Sequence, residues 1–220
     1  IFFLKKKKIS LIINLAAQAG VRYSLIKPTE YVDNNVLGFY NIISAANKYK
    51  VKKIIYASSS SVYGDSAIFP LSEKQKIKPK NIYALSKKIN EEMADVFSEQ
   101  FKIYFVGLRF FTVYGEWGRP DMFMMKYLQS SFNSSKKFYL NNYGNHTRDF
   151  TYIDDVMDIL YKLMRIKLSQ NNTIVNICSN NPIKITKVLN FINKYFQKKP
   201  KIYKRSFQNA DVKKTHGSNS

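Results

Sequence analysis

Residues 57–64 read ASSSSVYG and residues 83–87 read YALSK, and these two segments decide the fold. The first follows the apolar run 51–56, which is typical of a buried strand that ends in a polar turn. The second opens a helical pattern that continues to about Phe101. Because Tyr83 and Lys87 are spaced i, i+4, they share one face of that helix. The sequence therefore predicts serine hydroxyls at a strand end that face a Tyr/Lys pair.

This arrangement is suited to proton transfer. A lysine ammonium favours the phenolate over the phenol, so we expect Lys87 to lower the pKa of Tyr83 from about 10 towards neutrality. A tyrosine with such a pKa can take a proton from an alcohol at physiological pH. A Tyr/Lys pair alone is common on helix surfaces, and a serine run alone can be a turn. The prediction rests on finding both in this order.

Apolar runs and helical patterns alternate on both sides of these segments. Strand patterns at 9–15, 53–58 and 103–108 are separated by helical patterns at about 31–49 and 83–101. Such alternation predicts a doubly wound α/β fold around a parallel sheet. Within it, Gly38 is expected to permit close helix packing, and Asp154 to cap the helix that follows it.

Several further segments carry a family resemblance. They are LAAQAGVRYS at 15–24, NVLG at 35–38, LRFFTVYGEWGRPDM at 108–122, RDFTYIDD at 148–155 and DVKKT at 211–215. Together with the serine run and the Tyr/Lys pair, they resemble the extended short-chain dehydrogenase/reductase family. The resemblance is strongest to its NAD-dependent nucleotide-sugar epimerases, in particular the UDP-glucuronate 4-epimerases.

The resemblance implies a partial Rossmann-like domain and a smaller substrate lobe. Residues 1–115 would form part of an NAD-binding domain, and residues 116–220 mainly a nucleotide-sugar-binding lobe that is interleaved with it. The family opens with a glycine-rich turn, G-x-x-G-x-x-G, which cradles the dinucleotide pyrophosphate and is absent from this sequence. We therefore expect a fragment that is truncated at both ends. Strand 9–15 would be an exposed sheet edge, and the isolated chain would be poorly stable and unable to hold NAD.

The resemblance also assigns site residues. The catalytic residues are expected to be Ser59, Tyr83 and Lys87. The NAD-binding residues would be these same Tyr83 and Lys87 together with Ala16, Ala17, Gln18, Asn35, Ser58 and Phe110. The residues that bind the UDP-sugar would be Ser60, Ser61, Thr112, Arg119, Arg148 and Arg22. The implied reaction is 4-epimerisation of a UDP-sugar through a transient 4-keto intermediate.

The choice of substrate rests on a few side chains. The family's dehydratases carry an Asp-Glu pair directly after the catalytic hydroxyl residue, and here Ser60 and Ser61 cannot supply that acid and base. A uronate carboxylate favours an arginine partner. The resemblance places Arg119 and Thr112 where the family's uronate epimerases bind this carboxylate. Each arginine could instead form a surface salt bridge. A 4-epimerase for a neutral UDP-sugar and an inactive remnant without cofactor remain alternatives.

Composition narrows the partners. The chain has 36 Lys and Arg against 15 Asp and Glu, giving a net charge of +21. A nucleic-acid-binding domain would rest on this charge alone, and because the lysines look scattered we expect no specific nucleic acid. One cysteine and two histidines predict neither a disulfide framework nor a metal site. No apolar run approaches the roughly 20 residues of a membrane span, so we expect no membrane partner and a cytoplasmic setting. The resemblance implies a homodimer whose interface includes the Tyr83 helix.

Overall fold

The computed structural model describes residues 8–166 and 170–219. Its strands are β1 (Leu11–Asn14), β2 (Lys53–Ser59), β3 (Tyr104–Phe110), β4 (Thr112–Tyr114), β5 (Phe138–Leu140), β6 (Thr147–Tyr152), β7 (Asn172–Ile177), β8 (Pro182–Lys184) and β9 (Ile202–Lys204). Its α-helices are α1 (Pro28–Tyr31), α2 (Gly38–Lys48), α3 (Ile82–Phe101), α4 (Phe123–Phe132), α5 (Ile153–Arg165) and α6 (Ile185–Phe196). A π-helical segment, Val32–Leu37, joins α1 to α2.

The main sheet has the order β1-β2-β3-β7, and all its strand pairs are parallel. Parallel neighbours require crossover connections, which α2 and α3 supply between the first three strands. Helices cover both faces of the sheet. On one face Phe39, Ala94 and Phe105 belong to a cluster formed with α2 and α3, whereas on the other Val106 and Leu160 belong to a cluster formed with α5. The predicted doubly wound α/β fold is confirmed.

Strand β1 stands at one end of the described sheet and pairs with β2 alone within that part of the chain. Ile13 in this strand is 38% exposed, and Leu15, just beyond it, is 48% exposed. The predicted position of strand 9–15 at a sheet edge therefore agrees with the described residues. Its expected effect on stability and aggregation stays a prediction.

A smaller lobe packs around two short sheets, β4-β6-β8 and β5-β9. Its core comes mainly from Tyr127, Phe138, Leu189 and Ile192, which join α4, β5 and α6. The chain returns to the main sheet in the second half of the sequence, because β7 pairs with β3 and α5 packs against its face. The two predicted regions are thus interleaved, and the division after residue 115 remains a prediction.

Two local expectations were wrong. Asp154 lies inside the first turn of α5, whose N-cap is Tyr152 and has no side-chain cap. A Cβ added to Gly38 would lie 3.5 Å from the Asp33 carbonyl oxygen, an ordinary van der Waals contact. Gly38 instead lines an open groove beside Ala16 and Ala17, so close helix packing does not explain it.

Candidate active site

The three predicted catalytic residues come together at the carboxyl end of β2. Ser59 is the last residue of this strand, and its hydroxyl accepts a hydrogen bond from the backbone N–H of Ser61 at 3.1 Å. The Ser59 hydroxyl is also a hydrogen-bond partner of the Tyr83 hydroxyl. Lys87, one helical turn after Tyr83, is buried and donates from Nζ to the Ala57 carbonyl oxygen at 2.8 Å. Helix α3 therefore presents both of its predicted catalytic residues to the end of β2.

The expected direction of the Tyr83 pKa shift was wrong. Burial raises the pKa of the Tyr83 hydroxyl, because desolvation disfavours the phenolate. The hydrogen bond from Ser59 and the charge of Arg119 act in the opposite direction but are outweighed. The Lys87 ammonium donates to a carbonyl oxygen of β2 and does not offset this effect of burial.

The buried charge of Lys87 is itself destabilising. Burial lowers the pKa of its ammonium from 10.5 to about 8, because the charged form is poorly solvated inside the protein. At pH 7 the ammonium is still the dominant form. The protein thus holds a positive charge under the Tyr83 turn at a cost in stability.

A buried ion pair anchors the other end of the same helix face. Glu91 lies two turns after Tyr83, and its carboxylate accepts two hydrogen bonds from Arg109 on β3, at 2.9 and 2.7 Å. The Ser58 hydroxyl also donates to Glu91, at 2.5 Å. Ser58, predicted as cofactor-binding, therefore directs its side chain to this pair, which leaves its backbone for any cofactor contact. Sequence reasoning missed Glu91, although it continues the i, i+4 series of Tyr83 and Lys87.

The ion pair extends into a network of polar side chains. The Arg109 guanidinium lies 4.8 Å from the ring centroid of Tyr63, in the turn that follows Ser59. The Tyr63 hydroxyl donates to the Asn176 side chain at 2.7 Å, and Asn176 donates in turn to the Leu71 carbonyl oxygen at 2.9 Å. Four elements that are distant in sequence are thus joined behind the Ser59 turn.

Asn35 ties the loop after β1 to α3. Its side chain accepts from the Gln18 N–H at 2.7 Å, donates to the Gln18 carbonyl oxygen at 3.0 Å, and donates to the Ser86 hydroxyl at 2.9 Å. Asn35 lies in the π-helical segment, a form that is frequent at functional sites. Gln18 also lines the groove of about 330 Å³ that contains Ala16, Ala17 and Gly38. Four predicted cofactor-side residues therefore occupy one region.

Tyr31 is a second residue that sequence reasoning missed. It is fully buried, and its hydroxyl donates to the Gly20 carbonyl oxygen at 2.6 Å. Its ring packs edge-on against Tyr83, with ring centroids 6.1 Å apart. Burial, with a smaller effect of Tyr83, raises the pKa of Tyr31 to about 12, so Tyr31 stays a neutral hydrogen-bond donor. No local pattern around Tyr31 distinguishes it from a core tyrosine.

Arg119 approaches this cluster from the second lobe. A Cβ added to Gly20 would lie 3.7 Å from both Arg119 Nη2 and the Tyr31 hydroxyl oxygen. The positive charge of Arg119 acts on the hydroxyls of Tyr31 and Tyr83. Arg119 also donates from Nε to Asp121 at 2.9 Å, and its side chain is 46% exposed. The arginine thus forms the salt bridge considered as an alternative and still faces the Tyr83 region.

Arg148 and Arg22 meet farther along the same side, at the segment 211–213. Arg148 donates to the carbonyl oxygens of Val212 at 2.8 Å and Lys213 at 3.1 Å, and burial lowers its pKa to about 10. Arg22 forms an ion pair of 2.7 Å with Asp211. The charges of Arg22 and Asp211 both act on Arg148, so the two predicted phosphate-side arginines share one polar region. Their role towards a ligand remains a prediction.

The remaining predicted residues lie near the same strand ends. Phe110 pairs in register with Ser59 across β2 and β3, and Thr112 opens β4 directly after it. Ser60 and Ser61 form the start of the short 3₁₀ helix after Ser59 and are half-buried. Carboxyl ends of parallel strands are the usual place for ligand contacts in such sheets.

The described residues contain neither a cluster of metal ligands nor a membrane-spanning helix. No group of three or more His, Cys, Asp or Glu side chains in residues 8–166 and 170–219 could hold a metal ion. No helix in that part of the chain is long and apolar enough to cross a membrane.

Comparison with known proteins places this geometry in a family. A sequence profile described as "NAD dependent epimerase/dehydratase family" matches residues 1–178. An uncharacterised protein of Methanocaldococcus jannaschii is 44% identical over 97% of this chain and 65% of its own length. A probable UDP-glucuronate 4-epimerase of Rhizobium meliloti is 40% identical over 74% of this chain and 48% of its own length. This chain thus spans between about half and two thirds of these relatives.

A solved structure agrees with the sequence matches. The crystal structure of a UDP-glucuronic acid 4-epimerase from Bacillus cereus, in complex with UDP-glucuronic acid and NAD, superimposes with a TM-score of 0.91. It is 29% identical in sequence, and the match covers 99% of this chain and 68% of the other. On the extent of the profile match and the identity to these relatives, this chain belongs to the NAD dependent epimerase/dehydratase family.

Proposed function

We propose that this chain forms the catalytic part of an NAD-dependent UDP-sugar 4-epimerase. The observation that carries the proposal is the convergence of Ser59, Tyr83 and Lys87 at the end of β2. A relative named a probable UDP-glucuronate 4-epimerase and a solved UDP-glucuronic acid 4-epimerase with bound NAD support the same class. Residues 1–115 would contribute mainly to NAD binding, and residues 116–220 mainly to the sugar nucleotide.

The residues present fit part of a dinucleotide site. Ala16, Ala17 and Gly38 contribute small or absent side chains to the lining of the groove beside β1, so a planar group can approach the backbone there. Asn35 fixes the Gln18 backbone at one end of this groove. When bound, NAD would accept a hydride from the sugar and return it, so that it acts as a retained cofactor.

The proton transfer is assigned to residues of this chain. Tyr83 would take the proton of the sugar 4-hydroxyl, and Ser59 would donate a hydrogen bond to the same oxygen. Because burial raises the pKa of Tyr83, its phenolate depends on the hydrogen bond from Ser59 and on the nearby positive charge of Arg119, which both act to lower this pKa. Tyr83 would return the proton to the same oxygen when the hydride returns to the opposite face of the sugar carbon, which gives the other stereoisomer without net redox change.

We further propose UDP-glucuronate as the substrate. The two positions after Ser59 are the neutral Ser60 and Ser61, which supply no acid and base for dehydration. Arg119 faces the Tyr83 region and uses Nε and one terminal nitrogen for Asp121, which leaves Nη1 to grip a carboxylate. A 4-epimerase for a neutral UDP-sugar is the competing assignment.

Replacing Arg119 with Ala is expected to lower kcat/KM for UDP-glucuronate by about tenfold to a hundredfold, the worth of one charge-assisted hydrogen bond. The same variant should lose much less activity towards UDP-glucose, whose C6 carries no charge, because there only the effect of Arg119 on the pKa of Tyr83 is lost. Activity would be followed by separating the two C4 epimers with added NAD. Lys126→Ala, which removes a nearby exposed cation, serves as the matched control. Equal losses on both sugars would contradict the uronate assignment.

A separate test asks whether the chain catalyses epimerisation at all and whether Tyr83 is required for it. Tyr83→Phe removes only the acid/base hydroxyl, so it should abolish epimerisation of every UDP-sugar without weakening NAD binding relative to the wild type. If the wild-type chain binds neither NAD nor a UDP-sugar by calorimetry, the chain as it stands is not a working epimerase, and the remnant alternative is favoured.

We also propose that α2 and α3 form a homodimer interface. Leu85 and Val96 are three turns apart on one face of α3, and both are more than two fifths exposed. Leu37 and Tyr40 expose apolar surface on the neighbouring helical segment. Two such helices from each protomer would bury these side chains in a four-helix contact.

Light scattering is expected to give twice the chain mass of 25.7 kDa. The double change Leu85→Glu/Val96→Glu should shift the protein to monomer, because it would place four carboxylates in one apolar contact. Ile68→Glu, at an apolar residue 70% exposed in a loop, is the matched control and should leave the mass unchanged. A monomeric wild type would contradict the proposed interface.

A further inference from the structure

The smaller lobe has a concentrated positive charge that the proposed reaction does not use. No Asp or Glu occurs between Asp121 and Asp149 or between Asp158 and Asp211. These two stretches form most of the lobe, including α4, β5, α6 and β9. The lysines of this lobe are therefore not balanced by acidic residues in the same stretches.

Four exposed lysines line one cleft in this lobe. Lys136 and Lys137 follow α4, Lys199 and Lys201 follow α6, and the cleft has a volume of about 370 Å³. Lys137 and Lys201 approach the same Tyr203 ring, at 5.9 and 5.5 Å from its centroid. Among the described residues, no acidic side chain forms a salt bridge with any of the four.

Helix dipoles neutralise only a small part of this positive charge. The cleft lies beyond the carboxyl ends of α4 and α6, where lysines are favourable. Each helix end carries about half a negative charge, so two ends offset roughly one of four ammonium groups. A strong positive potential remains for an external anion.

An exposed group of aromatic rings adjoins the cleft. Phe191 and Tyr195 on α6 are 70% and 72% exposed, and Phe132 at the end of α4 is 56% exposed. Contacts run from Phe191 to Tyr195, from Tyr195 to Phe196, and from Phe196 to Phe132, which lines the cleft. We call these four rings and the four cleft lysines the aromatic–lysine face. Lysines beside protruding aromatic rings are typical of surfaces that bind the headgroup region of a bilayer.

We propose that the aromatic–lysine face binds anionic lipid surfaces. Charge complementarity selects the occupant, since the cytoplasmic leaflet offers a dense array of phosphate groups. Three of the four serine hydroxyls of the cleft already donate within the chain, which argues against a discrete phosphate pocket. Ser130 donates to the Lys126 carbonyl oxygen, Ser131 to the Tyr127 carbonyl oxygen and Ser135 to the Asn133 side chain. Phe191 and Tyr195 stack on each other at 21°, which reduces the free ring faces that nucleic-acid bases would need. Surface binding of this kind needs no membrane-spanning helix and revises the expectation that the chain has no membrane partner.

Vesicle flotation tests the proposal on the full chain. The protein should float with vesicles of phosphatidylcholine and phosphatidylglycerol at low salt, stay unbound with phosphatidylcholine alone, and be released at high salt. Each change among Lys136→Gln, Lys137→Gln, Lys199→Gln and Lys201→Gln should lower the partition coefficient about fivefold. The double change Phe191→Ser/Tyr195→Ser should lower it about tenfold without changing its salt dependence.

A control set of four other surface lysines tests whether binding depends on the aromatic–lysine face or only on the net charge of the protein. Lys52, Lys74, Lys76 and Lys78 are exposed on the main domain, and their replacement by Gln removes the same total charge. An equal loss in this control set would overturn the proposal, as would binding to neutral vesicles. Tighter binding to a single-stranded RNA through the same four cleft lysines would overturn it in favour of nucleic acid. Light scattering without lipid completes the test, because self-association that Phe191→Ser/Tyr195→Ser abolishes would mean that a second copy occupies this face.

Discussion

Replacing Arg109 with Met is expected to lower the free energy of unfolding by about 3–5 kcal/mol. The change leaves the Glu91 carboxylate buried without its cation, and an unpaired buried charge is far more costly than the loss of one contact. Both side chains are under 10% exposed, so water cannot take over the role of the guanidinium. Urea unfolding followed by circular dichroism gives the difference directly.

The double variant Arg109→Met/Glu91→Leu distinguishes an unpaired charge from a packing defect. Because it removes both charges, it should recover most of the stability lost in the single variant. A double variant as unstable as the sum of its single changes would contradict this explanation. Lys88→Met breaks an exposed ion pair on the same helix, 3.3 Å from Glu92, and should cost less than about 1 kcal/mol.

The position of this ion pair gives it a role beyond stability. Tyr83, Lys87 and Glu91 follow one another along a single face of α3, and each contacts the last residues of β2. The Glu91–Arg109 pair then fixes that face to β3. A shift of α3 along the sheet would therefore separate Tyr83 from Ser59, and the pair opposes it.

Local patterns in the sequence were sufficient for the parts of the site that lie on one element or one turn. The apolar run into the serine stretch predicted β2 and Ser59, and the i, i+4 spacing predicted the shared face of Tyr83 and Lys87. The parallel sheet of a doubly wound α/β fold followed from the alternation of strand and helix patterns. Each of these inferences uses residues that are near one another in sequence.

Contacts between distant segments could not be predicted in this way. Tyr31 reaches Tyr83 across 52 positions of sequence, and Arg109 joins Glu91 only because β3 lies beside β2. The sign of the Tyr83 pKa shift failed for a related reason. The sequence shows that a lysine is near, whereas the desolvation that raises the pKa of Tyr83 depends on how deeply the packed structure buries the hydroxyl.

Replacing Lys87 with Met is expected to raise the free energy of unfolding by about 2 kcal/mol at pH 7 while removing the proposed catalytic ammonium. The pKa of Lys87 falls from 10.5 to about 8 in the folded chain, a difference that corresponds to about 3 kcal/mol. Loss of the hydrogen bond to the Ala57 carbonyl oxygen costs about 1 kcal/mol, which leaves a net stabilisation of about 2 kcal/mol. Met fills a similar volume without a charge.

The lowered pKa of Lys87 makes the stability of the wild type depend on pH. Because the folded-state pKa is lowered, the unfolded chain binds more protons between pH 8 and 10.5, and the wild type gains stability as the pH rises through that window. The advantage of Lys87→Met should therefore be full below pH 8 and shrink as the pH approaches 10.5. Urea unfolding at pH 7 and pH 10, with Lys88→Met as control, measures both. A Lys87→Met variant that is destabilised at pH 7, or whose difference from wild type does not change with pH, would show that the buried ammonium is not the cost we infer. A stabilised variant without epimerase activity would show that the fold carries this charge for catalysis.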